Sequence, residues 1–436
     1  MRIGIVFDRL LQSPFLRNVG ILASATATGQ LFVVLASPIL TRLYSPMEFG
    51  IFAVFVALLG LISVASGFRF ELAIPISRHH LSAFHLLSLA MSINIGFSVL
   101  TLIAVVILRR PIAVWTKTPA LAGYLWLLPV SVFLFGTVRV LNYWAIRQLN
   151  YSRVAYTKLS QALANVTIQI TAGIAQFGVL GLIIGQIFGQ VTGVVSLARF
   201  AKKTFPANTH FSVRRMRLVA ARQRNFARYD TPAAIIDTVS EQFPALLFAV
   251  FFNPAISGFY LLAQRVLSIP VSLIGQAIGQ VLYGQSRQAM EDRRFGEIVR
   301  KTVYMLVGLA LVPTIVVSLW GEDMFKFVFG VTWRQSGQFA TWMIVGIAAQ
   351  FAYSPVSSVF QATNGQHVNL MIHSTLLITR LAGIVWGWRQ NDVMLAIAVF
   401  SIITFFGYAL GTLLVLRRAY SWPQLGNRRA YDGPVV

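Results

Sequence analysis

The sequence predicts an all-α polytopic membrane protein, with twelve transmembrane helices in two six-helix halves around a central cavity. Three observations predict it. The chain has 436 residues, of which 56% are hydrophobic and only 11% charged, and its mean hydropathy is +0.70. An ordinary soluble domain is about 45–50% apolar and about 25% charged. So little charge cannot cover that much apolar surface in water, which excludes a soluble enzyme, a disordered chain or a coiled coil. Apolar runs of about 20 residues, the length that crosses hydrocarbon, recur twelve times along the chain. Finally, the basic residues favour alternate connections between these runs, as the positive-inside bias requires.

The runs fall at 18–41, 48–68, 82–108, 120–145, 154–177, 180–200, 231–252, 256–281, 301–320, 337–361, 367–388 and 393–416. Asp8 and Arg9 break the apolar stretch before the first run. That segment reads as a short amphipathic piece on the inner face, leading into an uncleaved span. With the N-terminus inside, 26 of the 36 basic residues lie in cytoplasmic segments and seven in outer loops. The other three, Arg139, Arg265 and Arg380, lie within spans. Both termini are then cytoplasmic. The formal net charge of +23 is explained by this bias, so no nucleic-acid partner is expected.

The connection 201–230 carries Lys202, Lys203, Arg214, Arg215, Arg217, Arg222, Arg224 and Arg228, interleaved with Phe211, Val213, Met216, Leu218 and Val219. It reads as a basic cytoplasmic linker, partly helical and resting on anionic lipid. It divides the chain into an N-terminal half (1–200) and a C-terminal half (231–416), followed by a cytoplasmic tail (417–436). The halves read as a repeat. Ser45-Pro46-Met47-Glu48-Phe49-Gly50-Ile51-Phe52 and Asn253-Pro254-Ala255-Ile256-Ser257-Gly258-Phe259-Tyr260 share Pro, three residues, Gly and two bulky apolar residues. Each follows the first span of its half. Six spans per half put both starts on one side, which makes the repeat parallel, an arrangement common in transporters.

Charge inside a span costs roughly 2.5–3.5 kcal/mol for an arginine near the helix centre. Arg265 and Arg380 lie near span centres, and Arg139 lies closer to an inner end. Two readings are open: a cationic cavity for an anionic substrate, or structural pairing with carboxylates, helix carbonyls or the interface. Asp237 and Glu241, at i and i+4 in the seventh run, share one helix face. They are candidates for proton or Na⁺ coupling, or for a salt bridge to an intramembrane arginine. Glu71 is expected to pair with the neighbouring Arg69. Gly181, Gly185, Gly189 and Gly193 form a small-residue stripe for close helix packing, with Gln186 and Gln190 beside it. Pro38, Pro129, Pro244, Pro270, Pro313 and Pro355 are expected to kink spans.

No catalytic or metal motif stands out. The chain has no cysteine and no P-loop, and its six histidines lack metal-ligand spacing. Glu322-Asp323, the only adjacent acidic pair in an outer loop, reads as solvated. No catalytic residue, metal or cofactor is expected.

Several stretches resemble the bacterial polysaccharide transporter family, the Wzx-type flippases, within the superfamily that also contains MATE exporters. They are Thr41-Arg42-Leu43-Tyr44 running into Ser45–Phe52, then Phe68-Arg69-Phe70-Glu71-Leu72-Ala73-Ile74-Pro75. The longest is Gly258-Phe259-Tyr260-Leu261-Leu262-Ala263-Gln264-Arg265-Val266-Leu267-Ser268-Ile269-Pro270, continuing through Ile274 to Tyr283. The resemblance implies a bacterial inner-membrane protein that moves an undecaprenyl-diphosphate-linked oligosaccharide outward for O-antigen, capsule or exopolysaccharide synthesis. It also implies membrane lipids as surroundings and a polysaccharide polymerase complex as a potential partner. Arg265, Arg380 and Arg139 would then face the substrate's phosphates, with Asp237 and Glu241 coupling an ion. The alternatives are a cation-coupled multidrug exporter of the same fold and a non-transporting scaffold.

Overall fold

The computed structural model describes residues 28–429, apart from 78, 206–211, 225, 271–273, 276–277, 280–281, 283–288, 291–293 and 364. The expected N-terminal amphipathic segment and Phe211 of the linker lie outside the described residues. So do the tail beyond 429 and several positions between Ile274 and Tyr283.

Each of the twelve apolar runs contains a helix among its described residues. They are α1 (Thr28–Leu43), α2 (Pro46–Ser63), α3 (His80–Trp115), α4 (Leu128–Arg147), α5 (Tyr151–Ile174) and α6 (Val179–Thr204), then α7 (Thr231–Phe251), α8 (Pro254–Pro270), α9 (Phe295–Phe329), α10 (Arg334–Val356), α11 (Gln366–Arg389) and α12 (Val393–Arg429). Among the described residues there is no strand. Nine helices among the described residues are long and apolar enough to cross a membrane, and the protein is a multi-pass membrane protein. What the helices expose confirms the solvent. The outward faces of α3 and α9 are apolar: Val99, Leu100, Ile107, Leu311, Val312 and Leu319 are each at least half exposed. Water would not tolerate such continuous apolar faces, whereas hydrocarbon favours them. These two helices hold the third position of each half and have 36 and 35 residues. At about 1.5 Å per residue they exceed the roughly 30 Å hydrocarbon layer, so their ends reach past it.

The chain forms two compact units, and the division falls between Leu261 and Leu262, inside α8. The core of the first gathers Ile74, Leu86, Leu141 and Trp144 from the short helix Ala73–Ile76, α3 and α4, with Leu197 from α6. The linker helix Val213–Arg222 lies on α3. Met216 is buried there, Val219 and Ala220 pack on the core, and Arg214, Arg215 and Arg217 stay exposed. Much of the helix's apolar side therefore rests on protein. The second unit packs Val299, Leu306, Tyr353, Phe360 and Val415 together from α9, α10, the short helix Ser358–Ala362 and α12.

The repeated Pro-x-x-x-Gly segments meet inside the first unit. Both begin helices, with a side chain capping each N-terminus. The Ser45 hydroxyl accepts from the Glu48 amide at 3.3 Å while the Glu48 carboxylate accepts from the Ser45 amide at 2.6 Å, a reciprocal capping box. In the equivalent place Asn253 Oδ1 accepts from the Ile256 amide at 3.0 Å. The helices then cross at their glycines. A Cβ on Gly50 would overlap the Pro254 carbonyl and lie 3.1 Å from Pro254 Cα. A Cβ on Gly258 would overlap the Pro46 carbonyl and lie 2.8 Å from the Gly50 nitrogen. The contact is reciprocal, backbone on backbone, which explains why both copies of the repeat keep glycine here.

The α6 glycine stripe packs within the chain, against α5. A Cβ on Gly181 would meet Ala172 of α5 at 2.8 Å, one on Gly185 would meet Asn165 at 2.8 Å, one on Gly189 would meet Gln161 at 3.0 Å, and one on Gly193 would overlap the Gln161 side chain. Close approach lets amides bond across the seam: Gln161 donates to Gln190 (3.0 Å), Asn165 to Gln186 (3.3 Å), and Gln169 to the Leu182 carbonyl (3.0 Å). Tyr44 of the α1–α2 connection donates to the Gln169 carbonyl at 2.6 Å. Such bonds are worth about 0.6–2 kcal/mol in a membrane. Gln190→Leu is expected to cost about 1 kcal/mol, read as a small fall in the melting temperature of detergent-solubilised protein.

Three local expectations change. Pro129 lies in the first turn of α4 and Pro38 in the first turn after a break in α1 at Ala36. There the missing N–H has no helical partner to lose, so Pro129 starts a helix rather than kinking one. Pro244, Pro313 and Pro355 do lie inside helices. Glu322 is in the last turns of α9, not a loop; it pairs with Arg334 and accepts from Gln338 at 3.2 Å. Glu71 pairs with Arg139 rather than Arg69.

Candidate functional site

The intramembrane charges sit in distinct surroundings. Arg139, on α4, reaches back to the turn that ends α2. Its Nε lies 3.3 Å from Glu71 Oε1, and its Nη2 donates to Ser66 Oγ at 2.9 Å and to the Ser63 carbonyl. The Ser63 carbonyl belongs to the last turn of α2, where helical acceptors lack intrahelical donors. Glu71 is fully buried, and a Cβ on Gly67 would come within 2.6 Å of its Oε2. The intervening Phe68 and Arg69 both have left-handed backbone, with φ of 45° and 59°, a conformation disfavoured for L-residues. Arg139 thus fastens a strained turn.

Arg380, on α11, is built differently. Its Nε donates to Thr404 Oγ1 at 2.9 Å, and its guanidinium carbon lies 5.3 Å from the Phe400 ring centre and 5.2 Å from that of Tyr408. All three partners project from α12. The rings stabilise a cation through their π faces without neutralising it. Among the described residues no carboxylate pairs with Arg380. Next to this cradle, the Tyr353 hydroxyl donates to Asn369 Oδ1, and its ring lies 5.2 Å from that of Tyr408. Aromatic packing therefore fixes the ring on which Arg380 rests.

Arg265 lies in the middle of α8, partly buried, with its carbonyl 3.4 Å from the Ser268 hydroxyl. Asp237 and Glu241 share one face of α7 and are both exposed. No salt bridge holds either of them among the described residues, so the expected alternative of pairing with an intramembrane arginine is not seen there. Glu241 precedes Gln242, whose side chain fills the space beside Gly60 of α2. Arg265 and Arg380 belong to the second unit, and Arg139, Asp237 and Glu241 to the first. Sequence reasoning missed the Phe400, Thr404 and Tyr408 cradle. The available signal was their i, i+4, i+8 spacing, which stacks all three on one face of α12. Among the described residues no group of three or more His, Cys, Asp or Glu side chains could hold a metal ion.

With this geometry in view, comparison with known proteins places the chain. It is similar to the succinoglycan biosynthesis transport protein ExoT of Rhizobium meliloti (strain 1021), with 23% identity over 441 residues, covering 96% of this chain and 83% of that one. Its fold matches an inward-facing multidrug resistance MATE family transporter of the MOP superfamily, with a TM-score of 0.74 at 12% identity, covering 91% of this chain and 96% of that one. It also matches the lipid II flippase MurJ in an inward closed conformation, with a TM-score of 0.70 at 11% identity, covering 95% and 93%. The family described as "Polysaccharide biosynthesis protein" matches residues 39–338. That match spans well over half the sequence, and the chain belongs to this family of polysaccharide biosynthesis proteins.

Proposed function

We propose that the protein is a flippase that carries an undecaprenyl-diphosphate-linked oligosaccharide repeat unit across a bacterial inner membrane by alternating access. The product would feed O-antigen, capsule or exopolysaccharide synthesis. The family, the succinoglycan transport relative and the fold shared with a lipid II flippase support this reading. In this proposal the halves 1–200 and 231–416 rock about the linker 201–230. Both termini are cytoplasmic, following the positive-inside bias. The chain moves its substrate and catalyses no covalent step.

The observation that carries the proposal is Arg380. A cation within an apolar span is costly and marks a functional path by default. This one is cradled by two rings and a hydroxyl, which hold it in place while leaving its charge for a diphosphate. Arg265 would supply a second cation. Arg139 has the Glu71 carboxylate and α2 acceptors for its guanidinium, so its role is to hold the turn. Asp237 and Glu241, exposed together on α7, would bind the coupling proton or Na⁺. A polymerase complex would receive the flipped unit.

The test uses purified protein in liposomes with a fluorescent diphosphate-linked oligosaccharide lipid, quenched from outside. Wild type is expected to accelerate quenching of the hidden fraction. Arg380→Ala should slow it at least tenfold and the double variant Arg265→Ala/Arg380→Ala abolish it. If folded wild-type protein gives the rate of empty liposomes, with and without a proton or Na⁺ gradient, the flippase reading fails.

A further inference from the structure

We infer that the groove between the basic ends of α5 and α6 is a binding site for a lipid that carries two phosphates. The groove encloses about 930 Å³. Arg153 enters from the first turn of α5, and Arg199, Lys202 and Lys203 from the last turns of α6. No acidic residue lines it. The cations are not spread at random. Arg153 lies over the Phe200 ring, its guanidinium carbon 5.9 Å from the ring centre, which limits where it can point. The hydroxyls of Ser160 and Thr192 on the same walls donate to the Thr157 and Gly189 carbonyls, at 2.9 and 2.7 Å, so the cations are the groups left to meet phosphate oxygens.

The groove has an apolar rim and a closed floor. Val195 and Tyr156, exposed at 41% and 61%, flank it, suited to the glycerol or prenyl stem of a lipid. Deeper between the helices, Thr157 bonds Ser196 at 3.0 Å and Gln161 bonds Gln190 at 3.0 Å, and the glycine stripe closes the seam beyond. A headgroup can enter to this depth and no further, so the groove is a holding site and not the route across. On the topology proposed above, it faces the cytoplasmic leaflet. Four cations match the charge of two phosphates better than that of one, and basic pockets between spanning helices on that side recognise such headgroups. Two sources carry this chemistry: a bilayer diphosphatidylglycerol and a prenyl diphosphate. The inference does not depend on transport.

The test is a lipid titration of the detergent-solubilised full chain, read by native mass spectrometry. The probes are diphosphatidylglycerol, undecaprenyl diphosphate, phosphatidylglycerol and phosphatidylcholine. At least one two-phosphate lipid is expected to bind tenfold or more tighter than phosphatidylcholine. Arg199→Gln/Lys202→Gln should weaken that binding about 25-fold, roughly fivefold per cation removed, and Arg153→Gln about fivefold. Arg214→Gln/Arg217→Gln, on the linker helix, should leave it within twofold. Preference for diphosphatidylglycerol would identify a bilayer lipid as the occupant, and preference for undecaprenyl diphosphate a substrate held before transport. Equal binding of all four lipids overturns the inference. So does an equal loss in the groove and linker-helix variants, which would show only a diffuse positive surface. Melting temperatures of the variants, all at surface-accessible side chains of the helix ends, identify any that misfold, and Arg153→Gln then carries the test alone.

Discussion

Alanine at Gly50 is expected to lower the melting temperature of the purified protein more than any other single glycine-to-alanine change in α2, α3 or α9. The added methyl would overlap the Pro254 carbonyl and press on Pro254 Cα at 3.1 Å. A side chain in the way could change rotamer, but here the obstacle is helix backbone, and only separation of α2 from α8 relieves it. Overpacking of this kind costs about 1–3 kcal/mol, sometimes more. Gly258→Ala attacks the same contact from the other helix, against the Pro46 carbonyl and the Gly50 nitrogen, and should cost a similar amount. The double variant should cost less than the two singles together, because helices already forced apart accommodate the second methyl. Gly96→Ala in α3 and Gly308→Ala in α9 are the controls. Nothing lies within 4 Å of a Cβ at either place, so the better helix propensity of alanine, worth up to about 1 kcal/mol, should leave these variants as stable as wild type or slightly more so. A Gly50→Ala protein as stable as Gly96→Ala would show that the two repeated segments do not bear on one another.

The same glycines show what a sequence of this kind discloses. The spans are legible because hydrocarbon imposes one length and one polarity on every crossing segment, and each of the twelve runs contains a helix among its described residues. The repeat is legible because a backbone-to-backbone crossing tolerates only glycine, so Gly50 and Gly258 stand at matching places. Its partner was not legible: nothing in either segment says that it docks on the other. The α6 stripe likewise announces a close neighbour without naming α5. Glu71 shows the limit most clearly. Arg69 is the obvious partner along the chain, but Phe68 and Arg69 take left-handed backbone, which no periodicity foretells, and the carboxylate meets Arg139 on α4 instead. Arg380 could be picked out by its charge alone, since any cation in a span needs an explanation. That the explanation would be two rings and a hydroxyl on α12 required the pairing of α11 with α12. The groove at the ends of α5 and α6 was hidden for a related reason. Counting basic residues gives the side of the membrane, while convergence of Arg153 with Arg199, Lys202 and Lys203 depends on how the two helices align.

Removing either member of the Arg139–Glu71 pair is expected to destabilise the protein by about 3–5 kcal/mol, and removing both to cost far less. Glu71 is fully buried and its partner's side chain only 17% exposed, so either survivor is left as an unpaired charge away from water, the costly half of a broken buried pair. Arg139→Met additionally strips a donor from the Ser63 carbonyl and from Ser66, at the end of α2. Glu71→Met leaves the guanidinium those two acceptors, so it should be the milder single change. In the double variant no charge is stranded, and apolar side chains of similar volume are often neutral replacements for a buried pair. Melting temperatures of the four proteins in one detergent give the coupling directly. Transport measured on the same four samples then decides what Arg139 does. If it fastens the turn between α2 and the helix Ala73–Ile76, flipping recovers with stability in the double variant. If its charge meets the diphosphate, stability returns and flipping does not. The occupied guanidinium of Arg139, set against the aromatic cradle of Arg380, favours the first result. A double variant less stable than either single would mean that the pair is favourable in itself, and that the turn relies on its attraction as well as on the absence of a stranded charge.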